Sequence, residues 1–320
     1  MTHTANPGRV VAGQTSDQRA PALPRHCSNG SRTESVDSVL FQGTVTSIGA
    51  FRCPVGHPVF RDSGPIEQCI VVFPRTSVWI RHEGSRPFVA DPNIITIYNR
   101  AQRYERAPLS PDGDRCDWFA ISDQTARDIV GAFDPGAAQQ DRGPFRFQRV
   151  PSTPSLYLAQ RRLMQGAATG VTDALETEEA VVDLVARVLA LAYQRVPQPL
   201  GCGTAARRRR QDLVELAKAE LVRTVTVNRS VADLARTVDT SVFHLCRIFR
   251  AYTGRTMHEY RSELRVRFAL ELLSGAATRT SLSDVAHRLG FTSHSHFVRL
   301  CQRKFGAPPR VVREQLRVAV

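Results

Sequence analysis

The pattern of apolar residues changes along the chain from a strand-like to a helical texture. From about Val39 to Ser122, short apolar runs are separated by Gly, Pro and Asp, which is typical of an antiparallel β-sandwich or barrel. After Pro151 and Pro154, apolar residues recur at helical spacing. Residues 1–35 show almost no apolar periodicity and predict a disordered arm. The sequence therefore predicts an α+β protein with several domains.

The predicted β domain spans residues 36–150, and a helical hairpin follows over 151–196. Within the hairpin, helices are expected over Ser155–Gln165 and Glu178–Tyr193. The second helix carries one apolar stripe, formed by Val181, Leu184, Val185, Val188, Leu191 and Ala192. This stripe predicts a dimer seam, and the alternative is a lid on the β domain of the same chain. Residues 197–210 predict a linker.

Two copies of one short pattern occupy the last third of the chain. They span 230–254 and 281–306, and each predicts a short helix, a tight turn and a second helix that ends at a glycine. Ser230 and Ser281 each precede an Asp by three residues, which suits the start of a helix. The second helices are expected to bury Leu245, Ile248, Phe249, Phe297 and Leu300. This pattern indicates two helix-turn-helix motifs, which place a helix in the DNA major groove.

Local chemistry also predicts the turns and the connection between the two copies. Gly290 and, less favourably, Asp239 tolerate the left-handed backbone that a tight turn requires. Ser241 and Ser293 are expected to cap the second helices. Between the copies, Met257–Leu273 predicts one long helix. A stiff connector of this kind would hold two helices about one DNA turn, roughly 34 Å, apart.

The charge of the chain is unevenly distributed and favours a nucleic-acid partner. There are 43 Lys and Arg against 30 Asp and Glu, a formal net charge of +13. From residue 203 to residue 320, 22 basic residues stand against 10 acidic ones, so this segment carries +12 of the total. Of these 22 cations 20 are Arg, whose flat guanidinium suits phosphate and guanine edges. Such a field attracts polyanions.

The composition argues against several other classes of protein. The seven cysteines are odd in number and form no C-x-x-C pair, so neither a disulfide framework nor a zinc ribbon is expected. No apolar run approaches the roughly 18 residues of a membrane helix, and the N-terminus lacks a signal-peptide pattern. The sequence therefore predicts a soluble, cytoplasmic protein with no membrane association.

A more specific set of residues lies mainly in the second copy. It consists of Ala286, Leu289, Gly290, Phe291, Ser293, Phe297, Arg299, Gly306, Pro308 and Arg313. With the tandem arrangement, these residues resemble the DNA-binding domain of the AraC/XylS family of bacterial transcription regulators over about Arg210 to Arg317. The departures from the family pattern are Asp239, Met257, Cys301, Gln302 and Pro309. They leave the architecture intact.

The resemblance implies a cupin-like antiparallel β-barrel or sandwich with a helical hairpin, and then an all-α tandem helix-turn-helix domain over 211–317. It implies base contacts by Phe243, Cys246, Arg247, His294, Ser295, His296, Val298 and Arg299. Arg250 shares a helical face with residues 243, 246 and 247 and joins this set. For Arg247 and Arg299 the alternative is internal bracing of the domain. Arg207–Arg210 either contact phosphate or form a solvated run.

The resemblance also implies an effector site in the β domain. A small sugar or aromatic acid is usually held by aromatic side chains and one or two arginines. The candidates are Arg75, Trp79, Arg81, Arg100, Tyr104 and Trp118. Possible metal ligands in this segment are Cys53, His57, His82 and Glu83, but their spacing does not predict a metal site. No cofactor is expected.

Together these features predict a sequence-specific DNA-binding transcription regulator without catalytic residues. The resemblance implies an activator that responds to a small-molecule effector, binds double-stranded DNA, contacts RNA polymerase and forms a homodimer. Two alternatives stay open. One is a cupin-type metalloenzyme or thiol-acceptor protein fused to a DNA-binding module, and the other is an architectural DNA binder that senses no ligand.

Overall fold

The computed structural model describes residues 36–170, 172–194, 205–274 and 281–316. The strands are β1 Asp37–Gln42, β2 Thr46–Cys53, β3 Cys69–Pro74, β4 Val78–His82, β5 Phe88–Ala90, β6 Ile94–Tyr98, β7 Tyr104–Pro108, β8 Asp114–Ile121 and β9 Arg149–Pro151. The helices are α1 Asp123–Gly131, α2 Pro135–Ala138, α3 Pro154–Thr169, α4 Ala174–Gln194, α5 Ala205–Arg223, α6 Val231–Thr237, α7 Val242–Thr253, α8 Met257–Ser274, α9 Leu282–Arg288, α10 His294–Phe305 and α11 Pro309–Gln315. The predicted arm and residues 197–204 of the predicted linker lie outside the described residues.

Two antiparallel sheets form the N-terminal β region, defined here as residues 36–151. Six strands pair in the order β1-β2-β8-β3-β6-β9, and three pair in the order β5-β4-β7. Short apolar runs of the sequence predicted β3, β4, β6 and β8, whereas β9, α1 and α2 were not predicted. The predicted combination of N-terminal antiparallel sheets and C-terminal helices is confirmed.

Helix α4 covers the six-stranded sheet of its own chain. Its stripe residues Val181, Leu184, Val185, Val188 and Ala192 are at most 4% exposed. They share one core with apolar residues of the sheet and of α1. The stripe is therefore covered within a single chain and needs no second copy to bury it, while dimerisation through another face of the hairpin stays a prediction. The alternative, an intramolecular lid, describes this face of the hairpin.

The helical C-terminal region, residues 205–316, begins earlier than the sequence predicted. Helix α5 starts at Ala205, so residues 205–210 of the predicted linker are helical. Alanine and arginine have high helix propensity, which favours this extension. The hydroxyl of Tyr252, in α7, also donates a hydrogen bond to the carbonyl of Arg207 at 3.2 Å. The start of α5 is thereby joined to the first helix-turn-helix copy.

The four short helices of the two copies begin where their cap residues predicted. Ser230 and Asp233 form a reciprocal capping box at the start of α6. Ser281, at the start of α9, accepts a hydrogen bond from the backbone amide three residues later at 3.1 Å. Ser241 and Ser293 accept equivalent hydrogen bonds at the starts of α7 and α10. These serines satisfy amides that would otherwise lack a partner.

The turns and helix ends also follow the predicted backbone chemistry. Gly254 and Gly306 end α7 and α10 with φ angles of 71° and 73°. Asp239 and Gly290 occupy the two tight turns with φ angles of 52° and 73°. Glycine is required at the second turn, because a Cβ at position 290 would lie 2.1 Å from the carbonyl oxygen of Thr226.

The connector helix α8 is the long helix that the sequence predicted, but it is buried on nearly every side. Its charged residues Glu263, Arg265 and Arg267 are at most 5% exposed, as fully buried as the apolar Leu264. The reason is that α8 contacts the C-terminal helices on one side and the β region and α3 on the other. A helix with three arginines and three glutamates, which would be solvated on its own, is therefore an interior element here.

Candidate nucleic-acid interface

The second helices of the two copies, α7 and α10, are called the reading helices. Helix α7 has one buried and one exposed face. The buried face consists of Leu245, Ile248 and Phe249. The exposed face consists of Phe243, Cys246, Arg247 and Arg250. Phe243 is 77% exposed, so the described part of the chain leaves a large aromatic ring mostly uncovered.

Helix α10 is divided in the same way. It buries Phe297, Leu300 and Cys301. His294, Ser295 and Arg299 are exposed, and His296 and Val298 are half-buried. Burial lowers the pKa of His296, and electrostatic contributions from His258 and Arg299 act in the same direction. At neutral pH this imidazole is therefore uncharged, and it can both donate and accept hydrogen bonds.

The two arginines at the centre of the predicted DNA contacts, Arg247 and Arg299, are exposed. Within the described residues neither has an ion-pair or hydrogen-bond partner. Other arginines of this region are paired, Arg229 with Glu220 at 2.6 Å and Arg255 with a buried carboxylate at 3.0 Å. The contacts therefore give no support to internal bracing by Arg247 or Arg299, and both guanidinium groups can reach a phosphate or a guanine edge.

The helical region is tied to the β region by buried polar contacts that the sequence did not predict. At α5, Glu215 accepts a hydrogen bond from the amide of Val89 at 2.9 Å and pairs with Arg149 at 2.8 Å. Lys218 pairs with Glu215 at 3.0 Å and donates to the carbonyl of Val89 at 2.9 Å. Burial acts to raise the pKa of Glu215, but Arg149 and Lys218 outweigh it, and the pKa lies below its ordinary value.

A second set of contacts joins α8 to the loop between β5 and β6. The hydroxyl of Tyr260 donates to Asp91 at 2.6 Å, and the Asn93 amide donates to the carbonyl of Tyr260 at 2.9 Å. Arg267 donates to Asn93 and, at 2.8 Å, to the carbonyl of Ser152. All five residues are buried. Four hydrogen bonds therefore cross the contact and fix its register. Among the described residues, Oγ of Ser152 and Nε of Arg267 have no hydrogen-bond partner.

A third contact lies at the end of α8. Glu271 accepts hydrogen bonds from Nε of Arg75 at 2.6 Å and from the hydroxyl of Tyr157 at 2.9 Å, and Arg161 lies 3.8 Å away. Arg75 also pairs with Asp117 of β8 at 3.4 Å. Burial acts to raise the pKa of Glu271, but Arg161 and Arg75 outweigh it. The charged carboxylate therefore joins α8 to the sheet and to α3.

The structure does not bring the six effector candidates together. Arg75 and Trp79 lie at the contact with the helical region. Arg81 and Arg100 are on the surface, each paired with a carboxylate. Trp118 donates its indole N–H to a carboxylate of β1 at 2.8 Å. Trp79 and Arg81 share one face of β4, Tyr104 pairs with His82 on the other face, and Trp118 belongs to the six-stranded sheet. The effector site stays a prediction.

The sixth candidate, Tyr104, lies in a buried aromatic cluster with His82 and Tyr98. Nε2 of Gln102 lies 2.6 Å from Nδ1 of His82, whose Nε2 has no hydrogen-bond partner in the described part of the chain. Burial, with a contribution from Arg149, lowers the pKa of His82 to about 4. Within the described ranges, no group of three or more His, Cys, Asp or Glu side chains could hold a metal ion.

Comparison with known proteins places the helical region in a family. Residues 234–315 match the sequence model of a family described as a helix-turn-helix domain. The chain is 33% identical over 146 residues to the uncharacterized HTH-type transcriptional regulator YidL of Escherichia coli K12. A solved transcriptional regulator from Chromobacterium violaceum, described by its AraC-type DNA-binding domain, is 28% identical, covers 34% of this chain and 96% of its own, and gives a TM-score of 0.32. The C-terminal region is an AraC-type helix-turn-helix domain.

The sequence similarity to curated relatives covers less than half of the chain. The alignment with YidL covers 45% of this chain and 48% of YidL. The HTH-type transcriptional regulator GbdR of Pseudomonas aeruginosa is 33% identical over 122 residues, which cover 38% of this chain and 31% of GbdR. The chain therefore spans about half or less of the length of these curated relatives. The structure of apo ToxT from Vibrio cholerae covers 86% of this chain and 98% of its own, with 10% identity and a TM-score of 0.38.

Among the described residues, no helix combines the length and the apolar character that crossing a membrane requires.

Proposed function

We propose that this protein is a sequence-specific DNA-binding transcription regulator in which the AraC-type domain reads DNA and the N-terminal β region controls it. The observation that carries the proposal is the pair of reading helices. Each presents an exposed arginine without a partner in the described residues, Arg247 on α7 and Arg299 on α10. Arginine paired with guanine is the commonest specific contact in the major groove. YidL and GbdR, to which part of this chain is similar, are named as transcriptional regulators.

The two reading helices offer different chemistry to DNA. On α7, Phe243 and Cys246 are apolar and suit a thymine methyl group, while Arg247 suits a guanine edge. On α10, His294 and Ser295 offer hydrogen-bonding groups on either side of the second arginine. The +12 charge of residues 203–320, which includes the exposed run Arg208–Arg210 at the start of α5, supplies attraction to phosphate.

The β region is proposed to sense a small-molecule effector and to act through its contact with α5 and α8. A ligand shifts an equilibrium only if it binds the two states with different affinity. The residues Val89, Asp91 and Asn93 contact the helical region directly, so a ligand that moves this segment changes the support of both reading helices. Activation, homodimer formation and contact with RNA polymerase belong to the same proposal, and the family resemblance supports them.

The test starts with full-length protein and a selection of bound sequences from random DNA. Affinities are then measured for Arg247→Ala, Arg299→Ala and the control Arg81→Ala. Each reading-helix variant should lose about 1–3 kcal/mol of specific binding and relax base preference in its own half of the site. Arg81→Ala removes the same charge from the exposed surface of β4 and should keep the wild-type preference. A wild type that enriches no sequence, or reading-helix variants with unchanged specificity, would refute the proposal.

A further inference from the structure

One arginine of the connector helix contacts the second helix-turn-helix copy and the segment that leads into the first copy. Arg265 donates hydrogen bonds to the carbonyls of Val225 at 2.6 Å and Val227 at 3.3 Å, and to the side chain of Asn228 at 3.0 Å. These three residues belong to the segment between α5 and the first copy, called here the entry loop. Arg265 also donates to the carbonyl of Gly290, in the turn of the second copy, at 2.7 Å. One guanidinium therefore joins the entry loop of the first copy to the turn of the second.

The two joined segments also touch each other. A Cβ at Gly290 would lie 2.1 Å from the carbonyl oxygen of Thr226 and 2.9 Å from Nη2 of Arg265. The turn of the second copy is thus seated directly on the entry loop. Several carbonyl oxygens converge at this point, and a cation that donates to all of them removes their mutual repulsion.

The surroundings of Arg265 show that this contact is not a surface ion pair. The residue is 5% exposed, and its guanidinium lies 6.0 Å from the centre of the Phe291 ring. Among the described residues it donates to carbonyl and amide oxygens and not to a carboxylate. Burial, with the nearby charge of Arg261, lowers its pKa to about 10, so it stays charged at neutral pH. Burying a cation without a carboxylate partner costs free energy of folding. An apolar side chain at this position would avoid that cost.

We propose that Arg265 is a positioning residue for DNA recognition, which fixes the orientation of the second reading helix relative to the first. This inference rests on the proposed DNA-reading function. Helix α8 alone sets a distance between the copies, but rotation at its two ends would still be possible. The Arg265 junction adds a second fixed point and removes that rotation.

Two readers in fixed orientation accept only one spacing of their half-sites. Each added base pair moves the second half-site by about 3.4 Å and rotates it by roughly 35° about the DNA axis. If the two reading helices cannot rotate relative to each other, the protein loses the base contacts of one half-site. If they can rotate, it keeps part of those contacts.

The experiment measures the affinity of full-length protein for its selected site and for versions with one or two base pairs inserted or removed between the half-sites. The wild type should bind the altered sites about tenfold or more weakly, roughly the loss of one bidentate base contact. The factor by which the affinity falls at an altered spacing is called here the spacing penalty. Arg265→Gln should keep the base preference of each half-site, but its spacing penalty should shrink to about threefold or less. A residue that only stabilised the fold would change affinity equally at all spacings.

Arg261 provides a matched control on the same helix. It lies one turn before Arg265 and donates to the carbonyls of Val227 at 3.4 Å and Arg229 at 3.2 Å. Among the described residues it makes no hydrogen bond or ion pair with the second copy. Arg261→Gln should therefore keep the wild-type spacing penalty. Equal relaxation in the Arg261 and Arg265 variants would show general loosening of the entry loop and would overturn the proposal.

Gly290→Ala perturbs the same junction without changing any charge. Its Cβ would push the turn away from Thr226, so this variant should also relax the spacing penalty. Circular dichroism and thermal unfolding show which variants are folded. A folded Arg265→Gln variant that keeps the full spacing penalty overturns the proposal. If Arg265→Gln does not fold, a folded Gly290→Ala variant that keeps the full spacing penalty overturns it instead.

The wild type alone also decides between two kinds of failure. Selection of a bipartite site that is bound equally at all spacings overturns the positioning role, whatever the variants do. Failure to enrich any sequence refutes the DNA-reading function itself.

Discussion

Replacing Glu271 by Gln removes one negative charge from a buried cluster that joins α8 to the β region. Glu271 accepts two hydrogen bonds from Arg75, one of them at 2.6 Å, and one from Tyr157 at 2.9 Å. Glutamine has nearly the same size and keeps an oxygen for the tyrosine hydroxyl. Arg75 is then left with Asp117, 3.4 Å away, as its carboxylate partner. The change therefore removes the charge and both hydrogen bonds from Arg75, because the glutamine NH2 group cannot accept them, and it leaves the packing almost unaltered.

The magnitude follows from burial. Removing one partner of a fully buried ion pair costs about 3–5 kcal/mol. The side chains of Arg75 and Glu271 are 14% and 15% exposed, and Arg75 keeps a second carboxylate. We therefore expect Glu271→Gln to lower the free energy of unfolding by about 2–3 kcal/mol.

Urea unfolding of the full-length protein at neutral pH measures this loss. Tryptophan fluorescence is a suitable probe, because one of the two tryptophans, Trp79, packs against the core of the helical region. Glu105→Gln is the matched control, since the Glu105–Arg81 pair has side chains 61% and 54% exposed. A surface pair of this kind contributes about 0–1 kcal/mol. Equal losses in Glu271→Gln and Glu105→Gln would refute the idea that the buried contact holds the two regions together.

Three further outcomes are expected. Val185→Asp places a carboxylate in the core under α4 and should lower the free energy of unfolding by about 3–5 kcal/mol. Leu175→Asp, at an exposed position of the same helix, should change this free energy by about 0.5 kcal/mol or less. Similar urea midpoints for the two variants would contradict the packing of α4 on the sheet. The depressed pKa of His82, about 4 against an unfolded value of 6.5, contributes about 3 kcal/mol of stability that is present above pH 6.5 and lost as the pH falls towards 4. His82→Phe should make the free energy of unfolding depend less on pH between 6.5 and 4. If the variant shows the same pH slope as the wild type, His82 is not the source of this dependence. DNA affinity should fall linearly on a log–log plot against salt, because arginine–phosphate contacts release counterions, and a salt-insensitive affinity would contradict the charge argument.

The parts of the fold that depend on neighbouring residues could be predicted from the sequence. The cap at Ser241, the left-handed turn at Gly290 and the end of α7 at Gly254 each follow from the chemistry of one or two adjacent residues. The buried faces of the reading helices follow from helical spacing, because α7 and α10 each have one apolar side. The exposed candidates are the remaining positions of the same helices.

Contacts between distant segments could not be predicted in the same way. The stripe of α4 showed that one face is buried but not which surface covers it, and the sheet of the same chain proved to do so. Arg265 looked like one more cation of a basic segment, because its acceptors are backbone carbonyls of two loops and no complementary side chain marks them. The six effector candidates were chosen by residue type, and the two-sheet topology separates them.

The central claim is that α7 and α10 enter successive major grooves on one face of DNA. Guanine methylation interference on the selected site tests it most directly, because methylation of guanine N7 blocks contacts in the major groove. Two clusters of interfering guanines, about 10 base pairs apart, are expected. Arg247→Ala should remove one cluster and Arg299→Ala the other. A single cluster, or two clusters that both survive in the two variants, would contradict the claim.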